Sequence, residues 1–144
     1  MRLLPLEEQQ DDRNIYDTMH RAFLKEQSRK YDQTHTPTTR VFLIQSQQEI
    51  IGYAEVQLEE ECFPDEDLPE LCLKVYGFYI APEKRKQKLG SEAFKLLRQW
   101  GREHKAALVE IEVNKGLASS NAFFKEQGLE LVGSGKDNVF RGFI

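Results

Sequence analysis

The feature that most constrains this chain is a strand, a basic turn and a helix in direct succession between Tyr76 and His104. Tyr76-Gly77-Phe78-Tyr79-Ile80-Ala81-Pro82 begins rich in aromatic residues, as buried strands are, and Pro82 ends it. The turn that follows holds Lys84, Arg85, Lys86 and Lys88, four cations within five positions. From Ser91 an amphipathic run places Ala93, Phe94, Leu97, Trp100 and His104 on one helical face, with Lys95, Arg98 and Arg102 elsewhere. Cations at a helix start oppose its dipole unless an anion sits there. The N–H groups of a first helical turn attract the same anion. The stretch therefore predicts a polyanion site; a basic helix start without a ligand is the alternative.

The rest of the chain does not share that charge. The whole chain, turn included, has a formal net charge of -4, which argues against a nucleic-acid partner. The 144 residues fit a single domain, 1–144, and 40% hydrophobic with 31% charged residues is the composition of a soluble globular protein. No apolar run approaches the roughly 20 residues of a membrane span, so no membrane association is expected. Cys62 and Cys72 fit no zinc or redox spacing, and no metal site is expected. Two thiols without a signal peptide fit a reducing, cytoplasmic setting, where a Cys62–Cys72 disulfide is disfavoured.

In chain order, Met1 to Leu6 reads as a first strand. Asp11 or Asp12 caps a helix carrying Ile15, Tyr16, Met19, Ala22 and Phe23 at three- and four-residue spacing, to about Gln27. Ser28 to Thr39 is either a short second helix or a loop. Arg40–Gln45 and Ile50–Leu58 flank a short polar turn and predict an antiparallel hairpin. Glu59 to Glu70 carries seven carboxylates and no cation, with Pro64 and Pro69. It is a solvated connection or an acidic rim that attracts a cationic substrate. Leu71–Ile80 is the next strand and Ala106–Val113 another, with Val109, Ile111 and Val113 opposite Leu108, Glu110 and Glu112. Ser119 or Ser120 caps a short helix, Gly128 ends it, and Leu129–Gly133 and Val139–Phe143 close the chain. The fold class is α/β (α+β), with one mixed, mostly antiparallel sheet flanked by helices.

The stretch Tyr79-Ile80-Ala81-Pro82-Glu83-Lys84-Arg85-Lys86-Gln87-Lys88-Leu89-Gly90-Ser91 resembles the GNAT superfamily of acyl-CoA N-acyltransferases. The family pattern is a strand ending V-x-P followed by R/Q-x-x-G-x-G/A. Arg85 and Gly90 match its ends, whereas Lys88 replaces its first glycine. Ile111-Glu112-Val113-Asn114 through Asn121-Ala122-Phe123-Phe124-Lys125-Glu126-Gln127-Gly128-Leu129 resembles the family's late strand and helix, and the element order matches along the whole chain.

The resemblance implies an N-acetyltransferase that moves an acetyl group from acetyl-CoA directly to an amine of a small molecule or peptide. A non-catalytic acyl-CoA-binding module on the same fold is the alternative. Pantetheine would pair with the strand edge at Phe78, Tyr79 and Ile80, like an added strand. The pyrophosphate would lie on Arg85, Lys86, Gln87, Lys88, Leu89, Gly90 and Ser91. At Lys88 a Cβ crowds the phosphates while its ammonium attracts them. Glu112 aligns with a general base of some members, with Glu55 and Glu70 as rivals. The usual general acid is a tyrosine where this chain has Phe124, which leaves Tyr79 or Tyr76 as substitutes. Leu117 stands where a cofactor-contacting asparagine is common, so Asn114 or Asn121 takes that role. Exposed strands at the C-terminus, such as Val139–Phe143, could pair two copies as a homodimer.

Overall fold

The computed structural model describes residues 1–8, 12–28, 39–61 and 69–144. Segments 29–38 and 62–68, with the undecided second helix and most of the acidic connection, lie outside the described residues. Strands β1 (Arg2–Pro5), β2 (Arg40–Ser46), β3 (Glu49–Glu61), β4 (Glu70–Ile80), β5 (Leu108–Asn114), β6 (Glu130–Ser134) and β7 (Asp137–Phe143) form one sheet, ordered β1-β2-β3-β4-β5-β7-β6. Helices α1 (Arg13–Glu26), α2 (Leu89–Glu103) and α3 (Ala118–Glu126) flank it. Neighbours β1–β2, β2–β3, β5–β7 and β6–β7 run antiparallel. Parallel pairing joins β4 to β5 from Cys72↔Leu108 to Val75↔Ile111. The mixed, largely antiparallel sheet is the one the sequence implied, but Val139–Phe143 lies in β7, paired on both sides by β5 and β6, and so offers no free edge.

The chain divides into two compact units, Met1–Val56 with Tyr76–Leu97 and Gln57–Val75 with Arg98–Ile144. In the first, Tyr16, Met19 and Phe23 of α1 pack on Leu6, Leu43, Tyr53 and Tyr79. Their spacing of three and four is the apolar stripe read from the sequence. Ile15, expected on that stripe, instead stays 40% exposed. Asp12 occupies the cap position, but its side chain makes no capping bond. A second cluster gathers Ile44, Ile51, Ile80 and Ala93. Burying side chains of this size contributes about 1.5–3 kcal/mol each. The β2–β3 hairpin turns through Gln47 and Gln48, both at positive φ, as a two-residue turn requires. At Gly52 an added Cβ would lie 2.0 Å from the Tyr79 carbonyl oxygen, so β3 and the end of β4 approach as only glycine permits.

In the second unit Phe124 of α3 faces Phe140 of β7, and both are buried. Helix α3 departs from expectation at its start. Leu117 holds the cap position, so Ser119 and Ser120 fall inside the helix. Its end agrees: Gly128 adopts φ +84, the left-handed conformation glycine takes without steric penalty. His104, assigned by spacing to the apolar face of α2, is exposed; its ring stacks on Trp100. No helix among the described residues is long and apolar enough to cross a membrane.

Candidate functional site

The basic turn is built from its two ends. Strand β4 finishes at Ile80, and the Ala81 N–H donates to the Ile51 carbonyl at 2.7 Å, which fixes the strand's exit. Pro82–Lys84 forms one 3-10 turn, closed by the Lys84 N–H on the Ala81 carbonyl at 2.8 Å. On the other side, the Glu92 N–H donates to the Lys88 carbonyl, so α2 begins directly behind Lys88. Between these ends the backbone is forced into an unusual shape. Lys86 has φ 61 and Lys88 has φ 64, both left-handed. For a residue with a Cβ, each such position costs on the order of 1–2 kcal/mol. Lys88 therefore keeps the backbone conformation that glycine would adopt easily, and adds a charge.

The four cations divide into two kinds. Lys84 pairs with Glu49 at 3.0 Å, and Arg85 with Glu26 at 2.8 Å. Arg85 Nε also donates to the Ile80 carbonyl at 2.7 Å, and its guanidinium lies 5.3 Å from the Tyr79 ring centre. Lys86 and Lys88 are exposed and have no ion-pair partner among the described residues. A site that holds two lysines outward on strained backbone, at the start of a helix, fits an anion.

The remaining candidates of this unit are side chains of the strand itself. Phe78 is half-buried with its ring edge-on to Phe94, and Ile80 is in the core. Tyr79 is buried against Tyr53. Burial first, then the nearby Glu26 carboxylate, pushes the Tyr79 hydroxyl above its ordinary range, with Arg85 opposing, so it stays protonated at neutral pH. Gln87 donates from its side chain to the Glu83 carbonyl.

Glu55, a rival base, is a buried carboxylate. It is 1% exposed and accepts a hydrogen bond from the Tyr16 hydroxyl at 3.0 Å. His20 Nδ1 and the Tyr53 hydroxyl lie 3.0 Å apart beside this pair, and the Tyr16 and His20 rings stack. Sequence reasoning missed these partners. An acid between Ala54 and Val56, with Tyr16 and His20 one turn apart on α1, was the available signal.

In the second unit, Glu112 is exposed on β5 opposite Val139. Glu110, on the same side of the strand, is only 8% exposed. It accepts from Lys74 and from Arg141 Nε (3.0 Å), and Glu61 binds the same two cations. This closes a ring of two cations and two anions across β3, β4, β5 and β7. Burial pulls Lys74 down, but hydrogen bonds and charge from Glu110 and Glu61 outweigh it and hold the ammonium above its usual value. Asn121 donates to the Asn114 and Leu117 carbonyls at 3.0 and 2.8 Å and accepts from Asn138 at 2.8 Å, so its amide fastens the turn before α3. Asn114 Oδ1 accepts the Gly116 N–H. Phe124 belongs to the core.

A sequence profile of the acetyltransferase (GNAT) family matches residues 6–129. Among curated proteins no match was found. Solved structures share the fold at low identity. One is a putative acyl-CoA N-acyltransferase from Klebsiella pneumoniae, 18% identical over 88% of this chain and 88% of that one, TM-score 0.69. Another is Arabidopsis thaliana NAA60 in complex with a bisubstrate analogue, 10% identical over 89% and 94%, TM-score 0.66. A third is the PaiA N-acetyltransferase of Thermoplasma acidophilum in complex with coenzyme A, 12% identical over 74% and 62%, TM-score 0.60. With the profile covering most of its length and the fold agreeing, the chain belongs to the acetyltransferase (GNAT) family.

Proposed function

We propose that this chain transfers an acetyl group from acetyl-CoA to an amine of a small molecule or peptide. The observation that carries the reading is the turn: Lys86 and Lys88 face outward on left-handed backbone, immediately before the start of α2. Lys86, Gln87, Lys88, Leu89, Gly90 and Ser91 would hold the pyrophosphate through backbone N–H groups and lysine charge. Phe78, Tyr79 and Ile80 would pair with the pantetheine amides by their strand edge.

The acyl thioester supplies the activated carbonyl; the chain must neutralise the incoming amine and supply a proton to the leaving thiolate. Glu112 is the proposed base, because it is the exposed carboxylate that matches the family position. Tyr79 is the proposed acid, since its hydroxyl is held protonated. The acidic run 59–70 favours a cationic acceptor. The test follows free thiol released from acetyl-CoA across a panel of amines. Release that scales with acceptor and is lost in Glu112→Gln supports the reading. Phe124 in the core, where the resemblance implies a tyrosine, favours a second reading, a module that binds acyl-CoA without turnover. Binding of acetyl-CoA with no thiol release on any amine would establish that one.

A further inference from the structure

We infer that Glu26 is a positioning residue for the cofactor turn, acting through Arg85. The inference rests on the reading of that turn as the CoA site. Arg85 is the one turn cation tied at three points. Its Nη2 lies 2.8 and 3.0 Å from the two carboxylate oxygens of Glu26, its Nε donates to the Ile80 carbonyl at 2.7 Å, and its plane sits over the Tyr79 ring. Glu26 is the last residue of α1, 59 positions away in sequence. The clamp thus joins the end of α1 to the last carbonyl of β4 and to the residue just before the left-handed Lys86. Arg85 has its charge paired with Glu26 and its Nε and Nη2 engaged, so its part is to fix the turn rather than to ligate phosphate. It holds the backbone from which Lys86 and Lys88 project.

This assignment predicts an effect opposite in sign to simple electrostatics. Removing a carboxylate near a polyanion, and releasing an arginine beside it, should tighten CoA binding. If Glu26 positions the turn, its removal should loosen the backbone and weaken binding instead. The pair is partly exposed, with side chains 41% and 34% accessible, so its loss leaves the fold intact.

The experiment is calorimetric titration of the full chain with CoA, comparing native protein, Glu26→Gln, Glu26→Asp and Glu83→Gln, together with KM and kcat for acetyl-CoA. Glu83→Gln removes an equal charge from the same turn and leaves the clamp alone. We expect Glu26→Gln to weaken CoA binding about fivefold, the scale of one exposed ion pair. KM should rise in parallel, kcat at saturation should change less than twofold, and Glu26→Asp should recover part of the affinity. Glu83→Gln should leave binding unchanged or tighter. Equal or tighter binding by Glu26→Gln overturns the inference, as does equal weakening by Glu83→Gln. If native protein binds no CoA, the reading of the turn itself fails, and the inference falls with it.

Discussion

In the second unit Glu61, Lys74, Glu110 and Arg141 close on one another, whereas in the first unit Lys86 and Lys88 reach outward with no ion-pair partner among the described residues. Both are dense clusters of charge, and only their bookkeeping differs. The ring across four strands is neutral, partly buried and satisfied from within, so it needs nothing further. The turn keeps two cations unmatched on backbone that a lysine adopts only with strain. Charge satisfied internally is architecture; unmatched charge held at an energetic disadvantage points to a ligand. The same turn contains both kinds, since Lys84 and Arg85 are paired while Lys86 and Lys88 have no ion-pair partner among the described residues.

The largest expected effect comes from breaking the neutral ring. Glu110→Ala leaves Lys74 and Arg141 sharing Glu61 alone. Denaturant unfolding should show a loss of about 2–3 kcal/mol, below the range for a deeply buried pair because both cations retain some water. CoA affinity should not change; a matching loss of affinity would show that the ring is not merely architectural.

Lys88→Gly comes next. Glycine relieves the left-handed strain, so the fold should gain about 1 kcal/mol. Loss of the ammonium should weaken CoA binding by about three- to fivefold, the value of one exposed charge contact. Tighter binding would mean that the Cβ of Lys88 crowds the phosphates.

The smallest effect near neutrality is read at Cys72, beside the ring. Its thiol is pushed from 9.0 up to about 12, first by burial. Lys74 and Arg141 pull it down while Glu110 and Glu61 push it up, so a neutral ring largely cancels and burial decides. The folded pKa is raised, so the fold favours the thiol. This contribution is fully present below pH 9 and is lost as pH climbs toward 12. Native Cys72 should resist alkylation at pH 8 and react once the chain is unfolded; rapid native alkylation would contradict its burial.

Local patterns were legible and distant partners were not. The strand through Ile80, the turn, the amphipathic helix behind it and the left-handed Gly128 follow from neighbours in sequence. The start of α3 was misread because Leu117, a poor capping residue, holds the position that a nearby serine suggested. Glu55 was a candidate base by residue type, and nothing local to it announced its bond to Tyr16, 39 positions earlier. The pairing of Arg85 with Glu26 spans 59 positions and has no local signal. Lys88 was legible as a departure from glycine, but its left-handed φ was not.

The most direct test of the division between paired and unmatched cations is titration of acetyl-CoA into native protein and the double variant Lys86→Ala/Lys88→Ala, at low and high salt. We expect the double variant to bind about tenfold more weakly at low salt, with the gap narrowing as salt screens the native lysines. Its thermal stability should remain that of the native protein. Equal affinity for the two proteins at low salt would contradict the account.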